Sequence, residues 1–348
     1  EAVPFAGDDC AVLDDLVLTT DMLHETTDFP TGTTQYTAGW RAVGASLSDV
    51  AAMGAEALAA LAVYGAPSFE DAELGAFLSG CLDVCDAAGA EYVGGDLDGH
   101  DEFTVSTTAV GRTDSPVYRS GATPGDAVCV TGTLGRSGAA IRLFEAGDTD
   151  RANELFRFEP RVAAGRALSS YATSMMDSSD GLARSLHQLA EASDCGFSVS
   201  YADLPIDPSV LDVADDDAEE RELGVHFGED FELVCTVPEG ALPAALDASP
   251  VSLARIGTVT DRGVDGARLT PAGERRAAAR QFESSKALGD VDPDTDLTDT
   301  GDGFGLTTDA QRELGALRLD EQVPEVTITP DDVTLEDGQA MFEREVQR

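Results

Sequence analysis

The sequence predicts a two-domain α/β protein of α+β character, followed by an acidic C-terminal extension. Three observations support this. The chain has 348 residues, enough for two domains of roughly 100–200 residues each. Strand-like and helix-like runs alternate through most of its length. A turn-rich junction, Tyr118 to Asp126, interrupts them, and the composition changes again near Gln281. The domains are therefore placed at 1–118, 119–274 and 275–348. Apolar residues make up 42% and aromatics 6%, so Ala, Val and Leu must fill most of each core.

Residues 16–20 (Leu-Val-Leu-Thr-Thr) read as a strand. Residues 39–53 read as a helix, with Trp40, Val43, Leu47 and Val50 on one face. Ala57 to Tyr64 is a short apolar run closed by Gly65-Ala66-Pro67. A helix over about 70–88 precedes a strand running into Tyr92-Val93-Gly94-Gly95, and residues 103–111 alternate as a further strand. Beyond the junction, Ala127–Thr131 is a strand, and Gly132 to Gly138 is a loop opening a helix. Met175-Met176 ends another strand, and Leu182, Leu186 and Leu189 line the next helix. Phe231–Val237 is the next strand, and the acidic stretch Asp212–Glu222 reads as a solvated surface segment. From Gln281 onward there are 18 acids and 5 bases. There, Asp290–Gly303 reads as a linker or disordered tail, with short elements expected at 308–317 and 325–346.

Charge excludes several functions. Against 66 Asp+Glu stand 22 Lys+Arg, a net −44, which repels nucleic acid and anionic lipid. Such a surface suits a protein held soluble in strong salt, where screening shrinks to about 3 Å. Of the 22 basic residues one is Lys, Lys286, in neither a P-loop nor a protein-kinase context, so both of those nucleotide-binding classes are ruled out. No run of 18 apolar residues exists, and the start carries no secretory pattern. The six cysteines (Cys10, Cys81, Cys85, Cys129, Cys195, Cys235) are scattered in mostly apolar runs, as in a reduced cytoplasmic protein. Cys81 and Cys85 have no second pair at ligand spacing and read as buried small side chains.

One arrangement recurs: acids at strand ends or helix faces among small residues. The instances are Gly7-Asp8-Asp9, Thr19-Thr20-Asp21, Ser48-Asp49, Gly94-Gly95-Asp96 and Asp177-Ser178-Ser179-Asp180-Gly181. Hard oxygen donors of this kind suit Mg²⁺ shared with substrate phosphates, and so phosphoryl transfer. Singly, each also reads as a turn or a helix cap. Asp49 resists that reading, because a carboxylate inside a helix of small and apolar residues is costly unless paired or metal-bound. Gly132-x-x-Gly135-x-x-Gly138 lacks the Gly-x-Gly-x-x-Gly spacing of a dinucleotide site and reads as a tight strand–helix turn. His24, His100, His187 and His226 form no recognisable triad.

In order, the motifs are Gly-Asp-Asp, Leu-Thr-Thr-Asp-Met-Leu, Gly-Trp-Arg-Ala-Val, Ser-Leu-Ser-Asp-Val-Ala-Ala-Met-Gly-Ala and Gly-Gly-Asp. They continue with Arg-Ser-Gly-Ala-x-Pro-Gly-Asp, Thr-Gly-Thr-Leu-Gly, Met-Asp-x-Ser-Asp-Gly-Leu and Gly-Glu-Asp-Phe-Glu-Leu. The set, from Gly7 to about Gly273, closely resembles the thiamine-monophosphate kinase family of the aminoimidazole-ribonucleotide-synthetase-like superfamily. The resemblance implies that superfamily's two-domain fold. It also implies ATP-dependent phosphorylation of thiamine monophosphate with several Mg²⁺, and a homodimer through sheets of the first domain. It places the metal positions at Asp9, Thr19, Thr20, Asp21, Asp49, Asp96, Asp177 and Asp180, with Asp49, Asp96 and Asp180 closest to catalysis. It places ATP at Gly95, Asp96, Arg119 and Ser179, and the thiamine moiety at Glu229. The family's substrate His is Asp28 here, and its stacking aromatic would fall near Glu274, where none exists. The competing readings are another synthetase of the superfamily (aminoimidazole-ribonucleotide or selenophosphate type) and a non-catalytic Ca²⁺-binding protein using the acidic tail.

Overall fold

A computed structural model describes residues 7–261, 297–299 and 304–306. The chain falls into two units, Glu1–Gly273 and Glu274–Arg348. In the first, β1 (Ala11–Leu13), β2 (Leu16–His24), α1 (Glu25–Asp28), α2 (Gln35–Ala52), β3 (Glu56–Ala66), α3 (Asp71–Ala88), β4 (Glu91–Gly99) and β5 (Thr104–Arg112) come first. They are followed by β6 (Ala127–Thr131), α4 (Arg136–Ala146), α5 (Thr149–Phe156), α6 (Val162–Leu168), β7 (Ser174–Asp177), α7 (Leu182–Ser193) and β8 (Cys195–Val199). The unit ends with α8 (Pro208–Val213), α9 (Asp217–Arg221), β9 (Leu233–Val237), α10 (Leu242–Ala248) and β10 (Leu253–Asp261). The stretch read as a solvated acidic segment thus holds a short helix, α9, capped by the Asp216 side chain.

Two five-stranded sheets organise the unit. The first runs β1-β2-β5-β3-β4, antiparallel except for the β3/β4 pair. The second runs β7-β9-β6-β10-β8 and is antiparallel throughout. The apolar run at Ala57–Tyr64 is the heart of β3, bonded to a neighbour on each side.

Helix α2 positions the site. Fourteen of its 18 residues are buried, so it lies inside the molecule rather than on it. It packs on β2, β3 and β5 of the first sheet, on α3 and α6, and on β7 of the second sheet. Small residues make this close packing possible. A Cβ on Gly39 would lie 2.1 Å from the Phe77 carbonyl, and one on Gly80 would lie 2.0 Å from that of Tyr36, so α2 and α3 cross backbone to backbone. All six cysteines are buried and unbridged, and Cys81 and Cys85 are core residues of α3.

In the second unit, β11 (Leu297–Asp299) pairs antiparallel with β12 (Phe304–Leu306). A strand therefore lies within the stretch read as a linker. The elements expected at 308–317 and 325–346 lie outside the described residues, as do Gly273 and Glu274.

Candidate active site

Strand alternation in β2 turns Thr19 and Asp21 toward α2. The Thr19 hydroxyl donates to Asp49 Oδ2 at 2.5 Å, and Ser46 Oγ donates to Asp21 Oδ2 at 2.7 Å. Asp9, just before β1, approaches from the side, and Asp177, the last residue of β7, arrives from the second sheet. Carboxylate oxygens of Asp9, Asp49 and Asp177 lie within 4.8 Å of one another. Asp177 is 1% exposed. Ser48 hydrogen-bonds to it, yet its Oδ2 has no partner. Arg119 is the cation at the cluster's edge. Its Nη2 and Nε meet Asp9 at 2.8 and 3.2 Å, and its backbone N–H donates to Asp8 Oδ1 at 2.7 Å.

Crowding sets the electrostatics. Burial first, then repulsion from Asp9, pushes the Asp177 carboxyl up to about 8, against a hydrogen bond from Ser48 and the pull of Arg119. Burial, then the charges of Asp177 and Asp21, raises Asp49 well above the usual carboxylate range, and Asp9 is raised by burial despite Arg119. The same acids and burial push the adjacent Cys10 thiol up, which leaves it inert. Three acids this close cannot all ionise unaided, and an orphaned buried carboxylate oxygen calls for a partner. An all-oxygen donor set of this kind fits a hard divalent cation.

A second cluster forms where the chain reverses before β9. A single π turn, Glu222–His226, leads into Phe227–Phe231. This segment lies back to back with the loop after β7. Glu229 N–H donates to the Ser179 carbonyl at 2.6 Å and Phe231 N–H to that of Ser178 at 3.1 Å. A Cβ on Gly228 would sit 2.1 Å from the Ser179 carbonyl. Glu229 Oε2 is 2.6 Å from Arg41 Nη2. Burial raises the Glu229 carboxyl, Arg41 opposes this, and Asp28 and Asp180 reinforce it, which places both of those acids in its neighbourhood. Asp28 closes α1, its Oδ2 accepting from His24 N–H and the Thr27 hydroxyl, each at 2.7 Å. Asp230 accepts from the backbone N–H groups of Gly135 (2.5 Å) and Ser137 (3.0 Å). The start of α4, where a dinucleotide phosphate would sit, is thus filled by the protein's own carboxylate. Glu232 is held by Arg161 at 2.6 and 2.8 Å and by Thr131 at 2.6 Å, fixing the start of β9.

Asp9, Asp49 and Asp177 therefore come together, with Thr19, Asp21 and Arg119 alongside; Ser179 and Asp180 border Glu229. Asp96, Gly95 and Thr20 are placed differently. In the sheet register Met22, Ser106, Val63 and Asp96 form one row. Met22 and Val63 are 60% and 38% exposed, so Asp96 stands on the face turned away from α2. Thr20 shares that face by alternation, its hydroxyl donating to the Thr107 carbonyl at 2.8 Å. The Cβ position of Gly95 is filled by the Ala62 carbonyl, so close strand packing explains that glycine without a ligand. Sequence reasoning gave no role to Arg41 or Ser46, nor to Ser48 beside Asp49. Ser48 follows Arg41 by seven residues, two helical turns along one face, which was a readable signal.

This architecture, two sheets with acids converging between them, has known counterparts. Residues 7–113 match the family model "AIR synthase related protein, N-terminal domain", and residues 123–270 match its "C-terminal domain". A thiamine-monophosphate kinase of Halobacterium salinarum is 63% identical over 264 residues, covering 76% of this chain and 90% of the relative. That of Methanospirillum hungatei is 43% identical over 241 residues, covering 67% and 80%. A solved thiamine-monophosphate kinase from Aquifex aeolicus is 29% identical, with a TM-score of 0.66, covering 75% of this chain and 91% of its own. A solved AaThiL complexed with AMPPCP and TMP gives 0.68 at 28% identity, covering 74% and 86%. The chain belongs to the thiamine-monophosphate kinase family.

Proposed function

We propose that this chain transfers the γ-phosphoryl group of ATP to the phosphate of thiamine monophosphate, giving thiamine diphosphate. The observation that carries this is the meeting of Asp9, Asp49 and Asp177 from both sheets, with Asp177 Oδ2 unpartnered and Arg119 at the edge. These three carboxylates would hold Mg²⁺, with Thr19 and Asp21 beside them and Asp180 on the adjoining loop. Bound there, the metal neutralises phosphate charge during in-line transfer. Arg119 uses its Nε–Nη2 edge on Asp9, so phosphate oxygens would meet it from the Nη1 side. Ser179 and Gly95 are assigned to ATP, and Asp28 and Glu229 to the organic half of the acceptor. That acceptor is a phosphate monoester, largely ionised at neutral pH, so no strong general base is required.

The exposed row of Met22 and Val63, with Val93 nearby on β4, is assigned to a homodimer interface. On this reading Asp96 and Thr20 serve the site across the dimer, which accounts for their position away from the cluster. The domain limits are 1–118 and 119–274, with 275–348 outside the working enzyme. Among the described residues no helix is long and apolar enough to cross a membrane. We assign the protein to the cytoplasm of a salt-adapted cell, without nucleic-acid or membrane partners, on its −44 charge.

The test is ATP consumption in molar KCl with Mg²⁺, offering thiamine monophosphate, thiamine and aminoimidazole precursors side by side. Turnover with thiamine monophosphate alone is expected. Turnover with a precursor instead would transfer the chain to the synthetase reading.

A further inference from the structure

Arg41 belongs to the Gly39–Val43 motif, and the reaction as described gives it no task. It is 2% exposed, yet it carries a charge that desolvation disfavours. The residues around it are built for that charge. The guanidinium lies 3.6 Å over the Phe156 ring, with Phe158 and Phe231 at 5.2 and 5.7 Å. Nη1 donates to the Phe156 carbonyl and reaches Ser137 Oγ at 3.4 Å; Nη2 meets Glu229 Oε2 at 2.6 Å and the Glu229 carbonyl at 3.5 Å. Ser137 Oγ in turn donates to that same carbonyl at 2.6 Å.

The Nη2 and Ser137 contacts converge on Glu229, in a segment of unusual conformation. Glu229 has φ +69° and Phe231 has φ +54°, left-handed geometry that non-glycine residues adopt only when their surroundings impose it. Phe231 stacks on Phe158 at 4.1 Å, and Trp40, next to Arg41, donates to the Phe158 carbonyl at 2.5 Å. The Glu229 side chain as a whole stays 37% exposed, although its carboxyl sits deep enough for burial to raise it.

We propose that Arg41 is a positioning residue for the organic half of the acceptor. It fixes Glu229 so that Oε1 faces the bound ring system as a hydrogen-bond acceptor. This rests on the reading of the chain as a thiamine-monophosphate kinase. Seven residues along the same face of α2, Ser48 holds Asp177, so one rigid helix sets both halves of the site about 10 Å apart. Lysine cannot replace the fork, because a point charge cannot serve the Phe156 carbonyl, Ser137 and Glu229 together.

The test measures KM for thiamine monophosphate and for ATP, in molar KCl with Mg²⁺, for wild type, Arg41→Lys, Arg41→Met, Glu229→Gln and the Arg41→Met/Glu229→Gln double variant. Arg41→Met is expected to raise KM for thiamine monophosphate about 10-fold or more while KM for ATP stays within about twofold, the scale of a misplaced contact. Arg41→Lys should fall between it and wild type. The double variant should be no worse than the poorer single variant, since both changes remove one interaction. Equal rises in both KM values, or additive losses in the double variant, overturn the proposal. Where Arg41→Met does not fold, the Lys variant decides: a selective rise for thiamine monophosphate supports it, and an unchanged or unselective profile overturns it. A wild-type chain that leaves thiamine monophosphate untouched defeats the functional reading. One that turns it over while the Arg41 variants bind it normally defeats only this inference.

Discussion

The two clusters treat carboxylates in opposite ways. At Glu229 the protein supplies its own cation, Arg41, buried and wrapped by aromatic rings. At Asp9, Asp49 and Asp177 it gathers three acids, supplies one cation at the edge, and leaves an oxygen of Asp177 with no partner. The first cluster is electrostatically complete as folded, so it can act as a rigid template. On the proposed reading the second is completed by a cation from solution, which would relieve the repulsion among its acids.

The largest effect should separate the two. Asp177→Asn keeps the shape and removes a metal-site charge, so kcat should fall by at least ~10²-fold, the scale of losing a key electrostatic contact. Without metal the same variant should melt higher than wild type, because folding no longer has to protonate or bury the charge of that carboxyl. Glu229→Gln should instead raise KM for thiamine monophosphate with a smaller loss in kcat. Steady-state kinetics on both variants, with melts in EDTA, check this. A Glu229 variant with the greater loss in kcat would break the division.

A smaller effect concerns pH. An unfolded Asp titrates near 3.8, whereas folded Asp177 is pushed up to about 8 and Asp230 to about 7. Between those values the folded state holds protons that the unfolded state has released. Metal-free stability should therefore fall as pH rises from about 4 to about 8, then level off. Mg²⁺ should offset the Asp177 share, with those of Asp9 and Asp49, but not that of Asp230, which caps α4 away from the cluster. Melts at pH 5, 6.5 and 8 should show a Mg²⁺-induced rise largest at pH 8 and mostly lost in Asp177→Asn. A rise independent of pH would mean that the cluster does not take the metal.

The sequence revealed the two halves of the site unequally, for physical reasons. Asp9 before β1, Asp49 in α2 and Asp177 at the end of β7 each stand in a short motif, and the order of those motifs carried the family resemblance that named them. Asp49 stood out because a helix interior rarely tolerates a lone carboxylate. Thr19-Thr20-Asp21 carried a further signal that went unused. Alternation sends one of three neighbours to the opposite face, and that one is Thr20. The row containing Asp96 needed the register between β3, β4 and β5, which local patterns do not contain. Arg41 was hidden because an Arg in a helix reads as solvated. Only packing of α4, α5, Phe158 and the Phe227–Phe231 turn makes it a core residue. Long elements such as α3 were placed within a residue or two, whereas α8 and α10, at six and seven residues, offer too few turns for a period to show.

The smallest effect should come from the C-terminal extension. Both family models end by residue 270, and the Halobacterium salinarum relative matches 264 residues while covering 90% of its own length. Both sheets, the aspartate cluster and the Arg41–Glu229 pair all precede Asp261. A chain stopped after Arg280 should therefore turn over with KM values for ATP and thiamine monophosphate matching those of the full chain. The specific competing outcome concerns the aromatic that the family places near Glu274. Beyond Arg280 the sequence holds Phe282, Phe304 and Phe342. Were one of them to supply a ring to the acceptor, truncation would raise KM for thiamine monophosphate and leave that for ATP alone. That is the same signature expected of Arg41→Met. Combining the two changes then sorts the cases, because a ring and a carboxylate that touch the same substrate group should lose less together than the sum of their separate losses.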